Sequence, residues 1–141
     1  MIKTVKLPDN ILHLIHAVEN CLNSQPKVVF AYLFGSLAGG SPKSFSDVDI
    51  AVYIEDCKNL SEAKLDILEK LTEVLQTDEI DLVVLNTASL PLAINILKKK
   101  KVLVDKQPYL RHAFESLTMR KNFDFSIKEL AQLKRRYLNG R

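Results

Sequence analysis

An α/β (α+β) fold, a mixed β-sheet with helices packed largely on one side, is predicted by three observations in this 141-residue sequence. Short runs dense in β-branched and aromatic residues, at 27–34, 47–54, 78–85 and 102–104, alternate with longer stretches of helical apolar period. Their order is α-β-β-α-β-α-β-α, with no internal repeat and no Pro- or Gly-rich linker. Composition is 47% apolar and 26% charged, ordinary for a globular chain long enough to close one core. One domain over residues 1–141 is expected, with a core of about 10–105 and C-terminal helices over about 108–138.

Each element has its own signature. Pro8-Asp9 precedes a helical stripe of Ile11, Leu14, Ile15, Val18 and Leu22, which Asn23-Ser24-Gln25-Pro26 ends. The run 27–34 is a buried strand, too short and too β-branched for a helix. Three glycines, a proline and four serines make 35–46 a turn and loop, with a short helical turn at Ala38. Asp47 to Ile54 is the second strand. Ser61 is an N-cap candidate, and Leu65, Leu68, Leu71 (or Thr72) and Leu75 form the stripe of the helix after it. Asp78 to Leu85 is the third strand, Ser89 and Pro91 open a helix through Leu97, and Val102 to Val104 is the fourth strand. The region from Pro108 to Leu138 is helical with a break near 122–125, after which Ser126 and Glu129 read as a capping box.

Bulk chemistry narrows the function classes. A net charge of +3 is too mild to argue for nucleic-acid binding, and none is expected. The runs 98–101 and 134–136 read either as solvated surface or as a partner surface. Cys21 and Cys57 lack metal-ligand spacing and read as reduced thiols. With no apolar signal core and no spanning run, the chain reads as soluble and cytoplasmic. His13 and His16, three apart on the first helix, read as surface or packing residues before a metal pair. The stripe Ile127, Leu130, Leu133 and Tyr137 reads as core packing first and as a protein-docking surface second.

The chemistry concentrates in Gly35-Ser36, ten intervening residues, then Asp47-Val48-Asp49. Acids two apart on a strand share a face, and these two repel unless a cation compensates them. Hard carboxylate oxygens select Mg²⁺ or Mn²⁺. Asp81, at the start of a neighbouring strand, makes a third carboxylate and a two-metal site feasible. Glycine lets the backbone approach a phosphate, and the Ser36 hydroxyl adds a donor.

This motif, with the run Leu33-Phe34-Gly35-Ser36-Leu37-Ala38-Gly39-Gly40, resembles the DNA polymerase β superfamily of nucleotidyltransferases. In particular it is similar to their minimal members, the MNT (MntA-type) antitoxins of HEPN–MNT toxin–antitoxin systems. The resemblance covers about residues 10–105 and implies a nucleotidyltransferase-like sheet. It implies that Gly35 and Ser36 contact the triphosphate of ATP and that Asp47 and Asp49 bind one or two catalytic Mg²⁺ ions, for which Mn²⁺ can substitute. Asp81 would share a metal or draw the proton from the attacking hydroxyl. AMP would pass to a tyrosine hydroxyl of a HEPN ribonuclease toxin, which the chain would neutralise and with which it would form a hetero-complex. Many relatives carry a basic residue where this chain has Gly39, and Lys43 in the same loop is the candidate substitute. Arg111-His112 lacks the spacing of a HEPN ribonuclease, so the chain reads as the transferase alone. Two alternatives stand beside this reading: transfer to a small-molecule hydroxyl, as in aminoglycoside-modifying relatives, and a non-catalytic partner that masks the toxin.

Overall fold

The computed structural model describes residues 7–35, 48–55 and 58–139, and in them the expected order of elements is present. Helix α1 (Leu7–Asn23) leads to β1 (Val28–Phe34) and β2 (Val48–Ile54). Then follow α2 (Leu60–Leu75), β3 (Ile80–Val84), a 3₁₀ turn (Leu85–Thr87), α3 (Leu90–Lys98), β4 (Lys101–Asp105) and α4 (Pro108–Lys134), which ends in a π-helical turn (Arg135–Asn139). The strands lie in the order β3-β2-β1-β4, with β2 and β3 parallel and the other two pairs antiparallel. The mixed sheet is thus as predicted.

Side-chain alternation assigns its two faces. Val48, Ile50, Val52 and Ile54 enter the larger core, where Val18 and Leu22 of α1 and Ala63, Ile67 and Leu71 of α2 cover them. Ala51 and Tyr53 point the other way, into a smaller core with Phe30, Tyr32 and Leu85. Ile96 of α3 and Leu110 and Phe114 of α4 close that second layer. The larger core lies on one side as expected; the thinner layer on the reverse is what the periodicity does not show. In it Phe30 stacks on Tyr53 with centroids 4.9 Å apart, and Phe114 meets Tyr53 edge-on at 5.6 Å.

Several local expectations are corrected. The N-cap of α2 is Asn59, whose side chain accepts from the Glu62 N–H at 3.0 Å, and not Ser61. Leu60 packs against the larger core, so the helix must begin before Ser61. Leu65 is exposed, because the buried stripe runs through Ala63, Ile67 and Leu71 at four-residue spacing. Strand β3 starts at Ile80 and ends at Val84. Beyond it the Asn86 amide takes over the pairing, accepting from the Ile54 N–H and donating to the Ile54 carbonyl, each at 2.9 Å. Ser89 caps α3 as expected, through a 3.4 Å contact from the Leu92 N–H.

The long helix α4 is unbroken, against the expected break near 122–125. Asn, Phe and Asp cost a helix interior only up to about 0.7 kcal/mol each, too little to end it without Gly or Pro. Ser126 and Glu129 therefore lie inside the helix and cap nothing. Its first half packs on the sheet as far as the buried Thr118, whose hydroxyl donates to the Phe114 carbonyl at 2.8 Å. Its second half does not pack: Phe123, Ile127, Leu130, Leu133 and Tyr137 are all exposed, Tyr137 at 72%. Core packing of that stripe is thus overturned. Among the described residues no helix is long and apolar enough to cross a membrane.

Candidate functional site

Parallel pairing of β2 with β3 sets Asp49 beside Asp81 in register. Neighbouring strands are about 4.8 Å apart, so the two acids stand side by side on one face. It is the face of the thinner core, since Asp49 alternates with Val48 and Ile50, which enter the larger core, and shares its side of β2 with Ala51 and Tyr53. The Val48 N–H donates to the Glu79 carbonyl at 3.0 Å, which ties the start of β2 to the approach of β3. Asp49 is half-buried and Asp81 exposed.

On the other side of β2, Phe34 is the register partner of Asp49, and Gly35 follows it with φ +76°. Few side chains tolerate that backbone conformation. A Cβ at Gly35 would collide with Oδ2 of Asp49 and stand 3.0 Å from its Cγ. The glycine is thus required twice, by backbone conformation and by the carboxylate against it. Of the residues singled out in the sequence, Gly35 lies against Asp49 and Asp49 beside Asp81. Ser36, Lys43 and Asp47, with Gly39 and Ala38, lie outside the described residues, as does Cys57.

The donor set fits a hard divalent cation: two carboxylates in register, with a wall kept clear of side chain. Among the described residues no group of three or more His, Cys, Asp or Glu gathers to hold a metal. Asp47, the other acid of the motif, precedes the described part of β2. His13 and His16 are exposed on α1, and His16 Nδ1 lies 3.5 Å from Glu19. Cys21 is buried in the larger core, and burial pushes its thiol up.

A charged network on the same face was not anticipated. The buried Tyr32, two residues before Phe34, donates its hydroxyl to Oε2 of Glu115 at 2.6 Å. Arg111 donates to the same oxygen at 3.0 Å, and its Nε lies 3.0 Å from Asp105 Oδ2, an ion pair whose N–H is not aimed at the oxygen. Lys100 Nζ stands 3.9 Å from Glu115 and 5.8 Å from the Tyr32 ring centroid. Burial works to raise the Glu115 carboxyl, but the Tyr32 and Arg111 hydrogen bonds and the charges of Lys100 and Arg111 bring it below the ordinary range. Burial and then the Glu115 hydrogen bond push the Tyr32 hydroxyl far up. The sequence signal for this network was the Arg111–Glu115 spacing of four residues on a helix.

The polymerase beta nucleotidyltransferase family model matches residues 16–109, from the middle of α1 through β4 to the first turn of α4. The chain belongs to this family. In it, the matched span holds the whole sheet and both described acids of the site. The chain is 37% identical over 78 residues to the protein adenylyltransferase MntA of Shewanella oneidensis. The alignment covers 55% of each chain, about half the length of that curated relative. A chain of a toxin–antitoxin complex solved with AMP-PNP superposes with a TM-score of 0.69 at 28% identity, covering 85% of this chain and 95% of that one. A chain from the complex of tri-AMPylated Shewanella oneidensis HEPN toxin with MNT antitoxin gives a TM-score of 0.66 at 25% identity, covering 88% and 96%.

Proposed function

We propose that this nucleotidyltransferase uses ATP and Mg²⁺ to transfer AMP to a tyrosine hydroxyl of a partner HEPN-type ribonuclease toxin, and so neutralises it. The observation that carries the reading is Asp49 and Asp81 in register beside a glycine that clears their approach, in a chain of this family. The likeness to the adenylyltransferase MntA and to chains solved in toxin–antitoxin complexes supports the acceptor.

Asp47, Asp49 and Asp81 would hold one or two Mg²⁺ ions, which supply neutralisation of the triphosphate and of the departing pyrophosphate. Gly35 and Ser36 would orient the triphosphate, the glycine by leaving room and the serine by donating its hydroxyl. The acceptor oxygen attacks the α-phosphorus, and the bond from that phosphorus to the bridging oxygen of the β-phosphate breaks. Asp81, the exposed member of the pair, would take the phenolic proton.

Labelled ATP, Mg²⁺ and the protein encoded by the neighbouring gene test this directly. Label is expected on a partner tyrosine, and Asp47→Ala with Asp49→Ala should abolish it. Transfer that survives the double change would overturn the site assignment. The exposed apolar stripe from Phe123 to Tyr137 favours masking by complex formation as an added effect, since such patches mark protein partners. Full neutralisation by the inactive double variant would make masking the main effect.

A further inference from the structure

We propose that Lys98, Lys99 and Lys100 form the wall that grips the β- and γ-phosphates of a nucleoside triphosphate whose α-phosphate lies at Asp49 and Asp81. This rests on the nucleotidyltransferase reading and deepens it by naming residues of the described chain that would hold the outer phosphates.

The topology places the lysines. Helix α3 starts after the 3₁₀ turn, at the end of the sheet away from Asp81, and runs back over the thinner core, where Ile96 and Leu97 pack. It finishes at Lys98, and β4 begins at Lys101, whose register partner is Leu33, next to the Phe34 that pairs with Asp49. The turn therefore lies at the acids' end of the sheet. Lys100 lies on their face as well, because its ammonium stands beside Tyr32 and Glu115. Across that edge the order is Asp81 on β3, Asp49 on β2, Gly35 after β1, then the lysines before β4. β2 and β4 flank β1 at two strand spacings, about 10 Å, a distance that an extended triphosphate and a lysine side chain together can span.

Charge supports the same assignment. Four consecutive lysines carry no acid among them, and Lys100 stands 3.9 Å from Glu115, an acid already held by Tyr32 and Arg111. Lys98 and Lys99 are exposed. Their ordinary use would be to offset the negative C-terminal end of the α3 dipole. That role alone would show in stability, whereas a phosphate grip shows in affinity.

The test is calorimetric binding in Mg²⁺ of ATP, inorganic triphosphate and AMP to the full chain and to Lys98→Gln/Lys99→Gln. ATP and triphosphate should each bind about tenfold more weakly to the variant, while AMP binds as before. The KM for ATP should rise in step, with Lys98→Arg/Lys99→Arg restoring it and the melting temperature unmoved. ATP affinity within twofold of wild type, or AMP weakened as much as ATP, would overturn the proposal. A wild-type chain that binds neither ATP nor triphosphate would overturn the nucleotidyltransferase reading as well; binding indifferent to the lysines overturns this one alone.

Discussion

Gly35 and Asp81 show how far single residues decide the chemistry. Gly35→Ala puts a Cβ at positive φ against the Asp49 carboxylate, so either the turn or the acid must move. Loss of about 1 kcal/mol or more of stability is expected from the backbone conformation alone. A fall in AMP transfer much larger than that loss explains is the further expectation, read from paired melting and transfer assays. Asp81→Asn should act in the opposite sense on stability. Like charges in register destabilise a strand pair by about 0.2–1 kcal/mol, so the variant should melt no lower than wild type without metal. Transfer should fall about a hundredfold or more, and Mg²⁺ should raise the melting temperature of the wild type only. Asp49 and Asp81 were legible as a candidate site because acids inside apolar strand runs are costly and so conspicuous. That Gly35 is shaped to Asp49 was not legible, since register between strands leaves no mark in one sequence.

At the scale of elements, the strands and their order were readable because β-branched runs have few other uses. The boundaries of α2 and α4 were not. Asn59 outcompeted Ser61 as a cap because Leu60 needed burial, a tertiary demand that capping preference cannot register. In α4 the apolar period is the same in the packed and the exposed halves, so only the sheet's extent decides where burial stops. Substituting Phe123→Ser and Leu130→Ser should accordingly change stability by less than about 0.5 kcal/mol. Phe114→Ala, which removes a ring from the Phe30–Tyr53 stack, should cost about 3 kcal/mol or more. Glu115 ties the packed half to the sheet and gives it a pH dependence. Its carboxyl is held below the ordinary 4.5, so the folded state binds this proton less readily than the unfolded chain. The stabilisation is present in full above that value and is lost as pH falls through the lower folded one. Urea melts at pH 7 and below pH 4 should show wild type losing its advantage over Glu115→Gln across that interval. A constant gap would show that the hydrogen bonds from Tyr32 and Arg111 do not depend on the charge.

Across the whole molecule, the sheet separates stability from chemistry by face. The larger core, under α1 and α2, holds most of the buried aliphatic side chains and none of the described acids of the site. The thinner layer, under α3 and the first half of α4, shares its face with Asp49, Asp81 and the Tyr32–Glu115 network. A change on one face should therefore leave the other's property intact. Leu71 is fully buried in the larger core, and Leu71→Ala should cost about 2–5 kcal/mol. The molecules still folded at low temperature should nonetheless transfer AMP at the wild-type rate, because Leu71 packs in the core on the opposite face of the sheet from the acids. Asp81→Asn should do the reverse, sparing stability and lowering transfer. Combined, the two should add in stability to within about 0.5 kcal/mol, as expected of sites that share no partner. A coupling well above that, measured by denaturant melts of the four chains, would mean that the sheet transmits strain from the α2 face to the acids. The packed core would then be part of the active geometry and more than its support.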